Sequence, residues 1–162
     1  MKLSAHEEYG LRCLLQIGRH GDRGGLTIPQ ISRLEGLSIH HAAKILHILK
    51  QTGFLKSVRG QTGGYTLAKP PEQVFISDVL STLGGKLYEE DFCTEHRGRV
   101  GNCTHTVDCS IRSLWRMLQT AVDEVLSKTT LRDLIRKEDE MSTWLDRLVT
   151  LPTGNEPVTP RA

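Results

Sequence analysis

The sequence predicts a mainly α-helical chain with a small β-wing, arranged as a winged helix-turn-helix followed by one long helix. Three observations carry that expectation. Two short amphipathic segments meet at Glu35-Gly36-Leu37, two strand-like runs flank a glycine-rich tip just beyond them, and an apolar stripe repeats at helical spacing from Ser110 to Leu126.

The first helix is expected from about Ser4 to Arg19. Tyr9, Leu11, Leu14, Leu15 and Ile17 give it an apolar side, and the run His20 to Gly25 ends it. Cys13 falls among these residues and reads as a buried thiol acting as a small hydrophobe. Thr27 opens the second helix, with Pro29 in the first turn and Gln30 placed to close a capping box, and its apolar positions are Ile28, Ile31 and Leu34. Ser38 caps a third helix that turns Ala42, Ile45, Leu46 and Leu49 inward. Gly53 stops it, and Phe54 to Arg59 pairs with Tyr65 to Ala68 as the wing.

Beyond Lys69-Pro70-Pro71, a short helix over Ser77 to Leu83 stops at Gly84-Gly85, and a polar loop occupies about residues 86 to 109. The long helix beginning near Ser110 carries Ile111, Leu114, Trp115, Leu118, Ala121, Val122, Val125 and Leu126, a stripe that needs a partner. Thr130 caps a charged short helix, Leu131 to Glu140. One amphipathic fragment with Trp144 and Leu148 follows, and the proline-containing end reads as mobile. The expected units are a DNA-binding domain over 1–70, a connecting helix and cysteine loop over 71–109, the long and short helices over 110–141, and a flexible tail over 142–162.

With 162 residues, 38% hydrophobic and 25% charged, the chain can bury one ordinary core with an appendage. No run approaches the roughly 18 apolar residues of a membrane span, and the opening Met1 to Glu8 breaks apolar character too early for a signal peptide. A cytoplasmic protein without membrane attachment is expected, where cysteines serve metals or redox chemistry more often than disulfides. The net charge of +2 is unevenly spread: residues 1–70 hold ten Lys/Arg against four Asp/Glu, or +6, and the remainder holds eleven against fifteen, or −4. The basic half is the half suited to a phosphate backbone, which attracts it through counterion release.

In a winged helix-turn-helix the second helix of the motif enters the major groove, which puts Ser38, His40, His41 and Lys44 against base edges of double-stranded DNA. Arg59 and the tip glycines Gly60, Gly63 and Gly64 are placed to approach the minor groove or a phosphate. Downstream, Cys93, Cys103 and Cys109 form C-x9-C-x5-C, too wide for the C-x2-C corners of a zinc ribbon. Three thiols leave one tetrahedral position unfilled by sulfur, which favours a cluster or an unusual metal site.

Taken together, Met1-Lys2-Leu3-Ser4, Gly36-Leu37-Ser38, the wing from Ser57 to Tyr65 and the three-cysteine loop resemble the Rrf-type bacterial transcription regulators, whose branches include IscR, NsrR and RirA. The resemblance spans about residues 1 to 140. It implies a homodimer, a winged helix-turn-helix in each subunit, a long dimerisation helix, and an iron-sulfur cluster held mainly by the loop cysteines. Three cysteines then require a fourth ligand or an open iron. The IscR branch has a histidine three residues past its last cysteine, where this chain has Arg112. The NsrR branch uses an acidic residue of the partner's first helix, and Glu8 stands at the matching position, so the resemblance implies Glu8 as the fourth ligand, with a solvated first-turn carboxylate as the equal alternative. Glu7, His96, His105 and Asp108 are the other candidates. Resemblance to the nitric-oxide-sensing branch favours 4Fe-4S over 2Fe-2S, while the nine-residue gap after Cys93 exceeds that usual in IscR.

The expected function is a DNA-binding transcription regulator, a repressor, that senses redox state, nitric oxide or iron status through the cluster. A cluster-free thiol switch or zinc-stabilised regulator is the alternative. An electron carrier or enzyme is more remote, since no G-x-S-x-G, P-loop or H-E-x-x-H motif occurs.

Overall fold

The computed structural model describes residues 4–21, 23–60, 63–89, 92–95, 108–136 and 138–148. Local capping sets where its helices start. Helix α1 (Ala5–His20) begins at Ser4, whose hydroxyl accepts the Glu7 N–H while the Glu7 carboxylate accepts the Ser4 N–H at 2.7 Å. Thr27 and Gln30 repeat the arrangement at helix α2 (Ile28–Glu35). Ser38 caps helix α3 (Ile39–Gln51). Between α2 and α3 the chain turns at Gly36, whose φ of 66° is the left-handed conformation that side chains other than glycine enter only with strain.

The wing is an antiparallel pair, β1 (Leu55–Val58) and β2 (Gly64–Leu67), in a register that sets Leu55 opposite Leu67 and Val58 opposite Gly64. Leu26 extends it by exchanging backbone hydrogen bonds of 3.0 and 2.8 Å with Tyr65. A 3-10 turn (Pro71–Gln73) leads to α4 (Ile76–Leu83), and α5 (Phe92–Glu95), α6 (Ser110–Leu126), α7 (Leu131–Ile135) and α8 (Glu138–Leu148) complete the order.

One core joins α1, α2, α3, the wing base, α4 and α7 through Leu14, Ile31, Ile45, Leu46, Leu49, Val79 and Leu131, all fully buried. The chain closes on itself where Leu131 N–H donates to Val74 O at 2.8 Å and Ile76 N–H donates to Thr129 O at 2.9 Å. That clasp fixes the C-terminal end of α6 against the core. Further toward its N-terminus α6 buries no residue among the described residues, and Ile111, Leu114 and Met117 are 56%, 44% and 63% exposed.

The structure departs from the sequence expectation in four places. Leu34, read as an apolar position of its helix, is 55% exposed, and Glu35 is the buried residue instead. The cysteine loop contains a helical turn, α5. The charged helix expected to reach Glu140 stops at Ile135, because Arg136 turns extended with ψ of 170°. Helix α8 then runs past residue 141, where the flexible tail was expected to start, and residues 149–162 lie outside the described residues. Among the described residues no helix is long and apolar enough to cross a membrane.

Candidate DNA interface and metal centre

The inward face of α3 is defined by Ala42, Ile45, Leu46 and Leu49. On the opposite face, one turn apart, stand His40, Lys44 and His47, all exposed. The helix contains three histidines and two lysines and no carboxylate. Ser38 uses its oxygen to accept the His41 N–H at 3.2 Å, which leaves the hydroxyl proton to donate outward. His41 is turned away, half-buried, with its ring edge-on to Tyr9 at 5.2 Å. Of the four residues expected to meet bases, His40 and Lys44 therefore face out, Ser38 sits at the entry, and His41 packs on α1. His47 was not singled out from sequence, although its spacing of seven from His40 puts it on the same face.

At the wing, Arg59 is exposed immediately after β1. Gly63 N–H donates to Gly60 O at 2.9 Å, and a Cβ on Gly63 would lie 2.8 Å from the carbonyl oxygens of Gly60 and Val58. Glycine at 60 and 63 thus serves the turn that presents Arg59. Gly64 lies deeper, with φ of 147°, and a Cβ there would meet the Leu26 backbone at 2.6 Å. Its part in the structure is the seating of the wing.

An ion pair joins the middle of α1 to the C-terminal end of α2. Arg12 donates from Nε to Glu35 Oε2 at 2.6 Å and from a terminal nitrogen to Glu35 O at 2.9 Å, and the Glu35 side chain is only 5% exposed. The hydrogen bond to Glu35 holds the Arg12 pKa above its ordinary value against desolvation, helped by the charges of Glu35 and Glu8. Arg12 also lies over the Tyr9 ring at 5.6 Å. One stretch of α1 thereby touches the end of α2 through Arg12 and the start of α3 through Tyr9. Glu8, one turn before Arg12, is exposed, whereas Glu7 is occupied by the Ser4 cap.

The cysteines divide by environment. Cys13 is fully buried, and burial pushes its thiol up to about 12. Cys93, in α5, is half-buried with its Sγ 3.9 Å from the Tyr88 phenol oxygen. Cys109 is the N-cap of α6, its Sγ accepting the Arg112 N–H at 3.3 Å. Tyr88 is itself buried; that burial first, and then the Cys93 contact, raise its pKa, while Arg116 and Arg112 act in the opposite direction. Cys109 thus starts α6 itself, while Cys93 is linked to the same helix through Tyr88, whose N–H donates to Gln119 Oε1. Hydrogen-bond donors aimed at sulfur, with guanidinium groups beyond, are surroundings that suit the negative charge of metal-bound thiolate sulfur. Asp108 is exposed beside Cys109. Cys103, His96 and His105 lie outside the described residues, and among the described residues no three His, Cys, Asp or Glu side chains converge.

A family profile described as Rrf2, an iron-dependent transcriptional regulator, matches residues 3–137. Among similar proteins, protein rrf2 of Nitratidesulfovibrio vulgaris is 31% identical over 136 residues, covering 84% of this chain and 88% of that one. The transcriptional regulator NsrR of Halalkalibacterium halodurans is 28% identical over 145 residues, covering 90% and 97%. The solved structure of T. potens IscR superposes with a TM-score of 0.66 at 27% identity, covering 83% of this chain and 86% of that one. CymR, the global cysteine regulator of B. subtilis, superposes with a TM-score of 0.63 at 28% identity, covering 83% and 96%.

Proposed function

The chain belongs to the Rrf2 family of transcriptional regulators, and from that membership we propose that it is a cytoplasmic, homodimeric repressor whose hold on double-stranded DNA is set by an iron-sulfur cluster. The observation that carries this reading is that Cys109 caps α6 and Cys93 contacts Tyr88, whose N–H is held by Gln119 of the same helix, while among the described residues the apolar stripe of α6 is exposed. A second copy packed on that stripe gives the homodimer and brings two groove helices to one duplex.

In this reading Cys93, Cys103 and Cys109 hold a 4Fe-4S cluster and Glu8 of the partner subunit supplies the fourth ligand. The cluster, when bound, supplies one-electron redox chemistry and an iron that oxidants or nitric oxide can attack. Its state is felt at the DNA through α1: Glu8 lies one turn from Arg12, which grips Glu35, and beside Tyr9, which contacts His41. His40, Lys44 and His47 meet the major groove, Ser38 its edge, and Arg59 the minor groove or a phosphate.

Anaerobic purification with iron and sulfide analysis tests the cluster. We expect brown protein with visible charge-transfer absorption, loss of iron in Cys93→Ala, Cys103→Ala and Cys109→Ala, and full retention in Cys13→Ala. Glu8→Ala should remain a dimer while its cluster decays faster in oxygen. Colourless protein binding zinc, or none, would favour the cluster-free alternative, and full iron retention in Cys103→Ala would overturn the ligand set.

A further inference from the structure

We propose that Tyr88 is a positioning and tuning residue for the Cys93 sulfur, and that α6 holds its phenol in place. This assignment rests on the cluster reading above and adds to it a hydrogen-bond donor that governs the cluster's electron affinity. Tyr88 lies between α4 and α5, where no regular structure fixes it, yet it is 7% exposed and held at both ends. Its backbone N–H donates to Gln119 Oε1 at 2.9 Å, and its ring packs on Phe92 with centroids 5.7 Å apart. The Gln119 amide is in turn oriented by donating from Nε2 to Asp123 Oδ1 at 2.8 Å, which leaves its oxygen to face Tyr88. A line of contacts therefore runs from Asp123 and Gln119 on α6 through Tyr88 to Cys93.

The chemistry of the last link is one-directional once metal is bound. In the free thiol either atom of the 3.9 Å Tyr88 to Cys93 contact can donate. A cysteine sulfur ligating iron carries no proton, so only the phenol can donate and the sulfur must accept. A donor to a ligand sulfur withdraws electron density and favours the reduced cluster, as do positive charges nearby, here Arg112 and Arg116. Removing the phenol hydroxyl should make the cluster harder to reduce without removing a ligand.

The test compares wild type, Tyr88→Phe and Gln119→Leu as full-length protein loaded anaerobically. Iron and sulfide content, midpoint potential from a dithionite titration with mediators, and resonance Raman spectra in H2O and D2O are the readouts. Tyr88→Phe should bind as much iron as wild type, show a more negative potential, and raise the iron-cysteinyl stretching frequencies while losing part of their D2O sensitivity. Gln119→Leu should move the potential in the same direction by less, because the phenol stays while its tether goes. Unchanged potential and unchanged D2O response in Tyr88→Phe would overturn the tuning role and leave the cluster reading standing. Iron loss in Tyr88→Phe with unchanged potential in the clusters that remain would overturn it too, since that result marks packing alone. Wild-type protein without iron or colour would overturn both readings together.

Discussion

Helix α3, with 13 residues, buries Ala42, Ile45, Leu46 and Leu49 inside its own chain, whereas helix α6, with 17, buries none and leaves Ile111, Leu114, Trp115, Met117 and Leu118 exposed. Both are amphipathic, so periodicity does not separate them. What separates them is the rest of the chain. α3 is wrapped by α1, α2 and the wing base, while among the described residues α6 packs on the core through Leu126 near its C-terminal end. The helix-turn-helix half buries its apolar face within its own chain; α6 leaves apolar surface that the proposed dimer would bury against a second copy.

The largest expected effect lies in the self-sufficient half. Leu46→Ala should lower the unfolding free energy by about 2–5 kcal/mol, as deletion of a fully buried leucine side chain does, and urea unfolding followed by circular dichroism checks it. Next comes α6. Leu118→Glu should weaken dimerisation by roughly 2 kcal/mol or more, about 30-fold, in line with truncation of a central interface residue, and sedimentation over a concentration series reads it. Its N-terminal core should keep its near-ultraviolet circular dichroism. If instead Leu118→Glu unfolds the chain as Leu46→Ala does, the division between the two helices is wrong.

A smaller effect sharpens the comparison on the DNA side. Arg59→Ala should weaken duplex binding by about 10-fold and reduce the salt slope by about one unit, the signature of a single lost phosphate contact. Fluorescence anisotropy across salt concentrations measures both. A large affinity loss at unchanged slope would point to base reading by Arg59 and away from phosphate positioning.

The helix-turn-helix and wing were legible because their determinants are local. Ser4, Thr27 and Ser38 mark helix starts within three residues, and Gly36 and Gly60 mark turns by the backbone conformations they permit. Glu35 was not legible as a buried residue, because what makes burial tolerable is Arg12, 23 positions away. The surroundings of Cys93 escaped for the same reason: Tyr88 is fixed by Gln119, 31 positions distant, and no spacing rule reaches that far. His47 lies beyond the first turn, where base-reading residues of such a helix are expected, yet its spacing of seven from His40 gives it the same outward phase. Chemistry points to the cysteines as a group, but only the fold shows that Cys109 caps α6 and that Cys93 is tied to the same helix through Tyr88 and Gln119.

The crossing of Gly25 and Gly64 acts as a gauge block. A Cβ on Gly25 would stand 2.8 Å from the Gly64 backbone, and one on Gly64 would stand 2.6 Å from that of Leu26, so the wing is seated main chain against main chain with no side chain between that could be trimmed or swelled. The seating of β2 on the residues before α2 is therefore set by backbone shape, with no room for a side chain at either glycine. In the proposed complex, a duplex that spans the groove helix and Arg59 would meet contacts whose separation that seating helps to set, so sequences that deform easily would gain preference at base pairs no side chain touches.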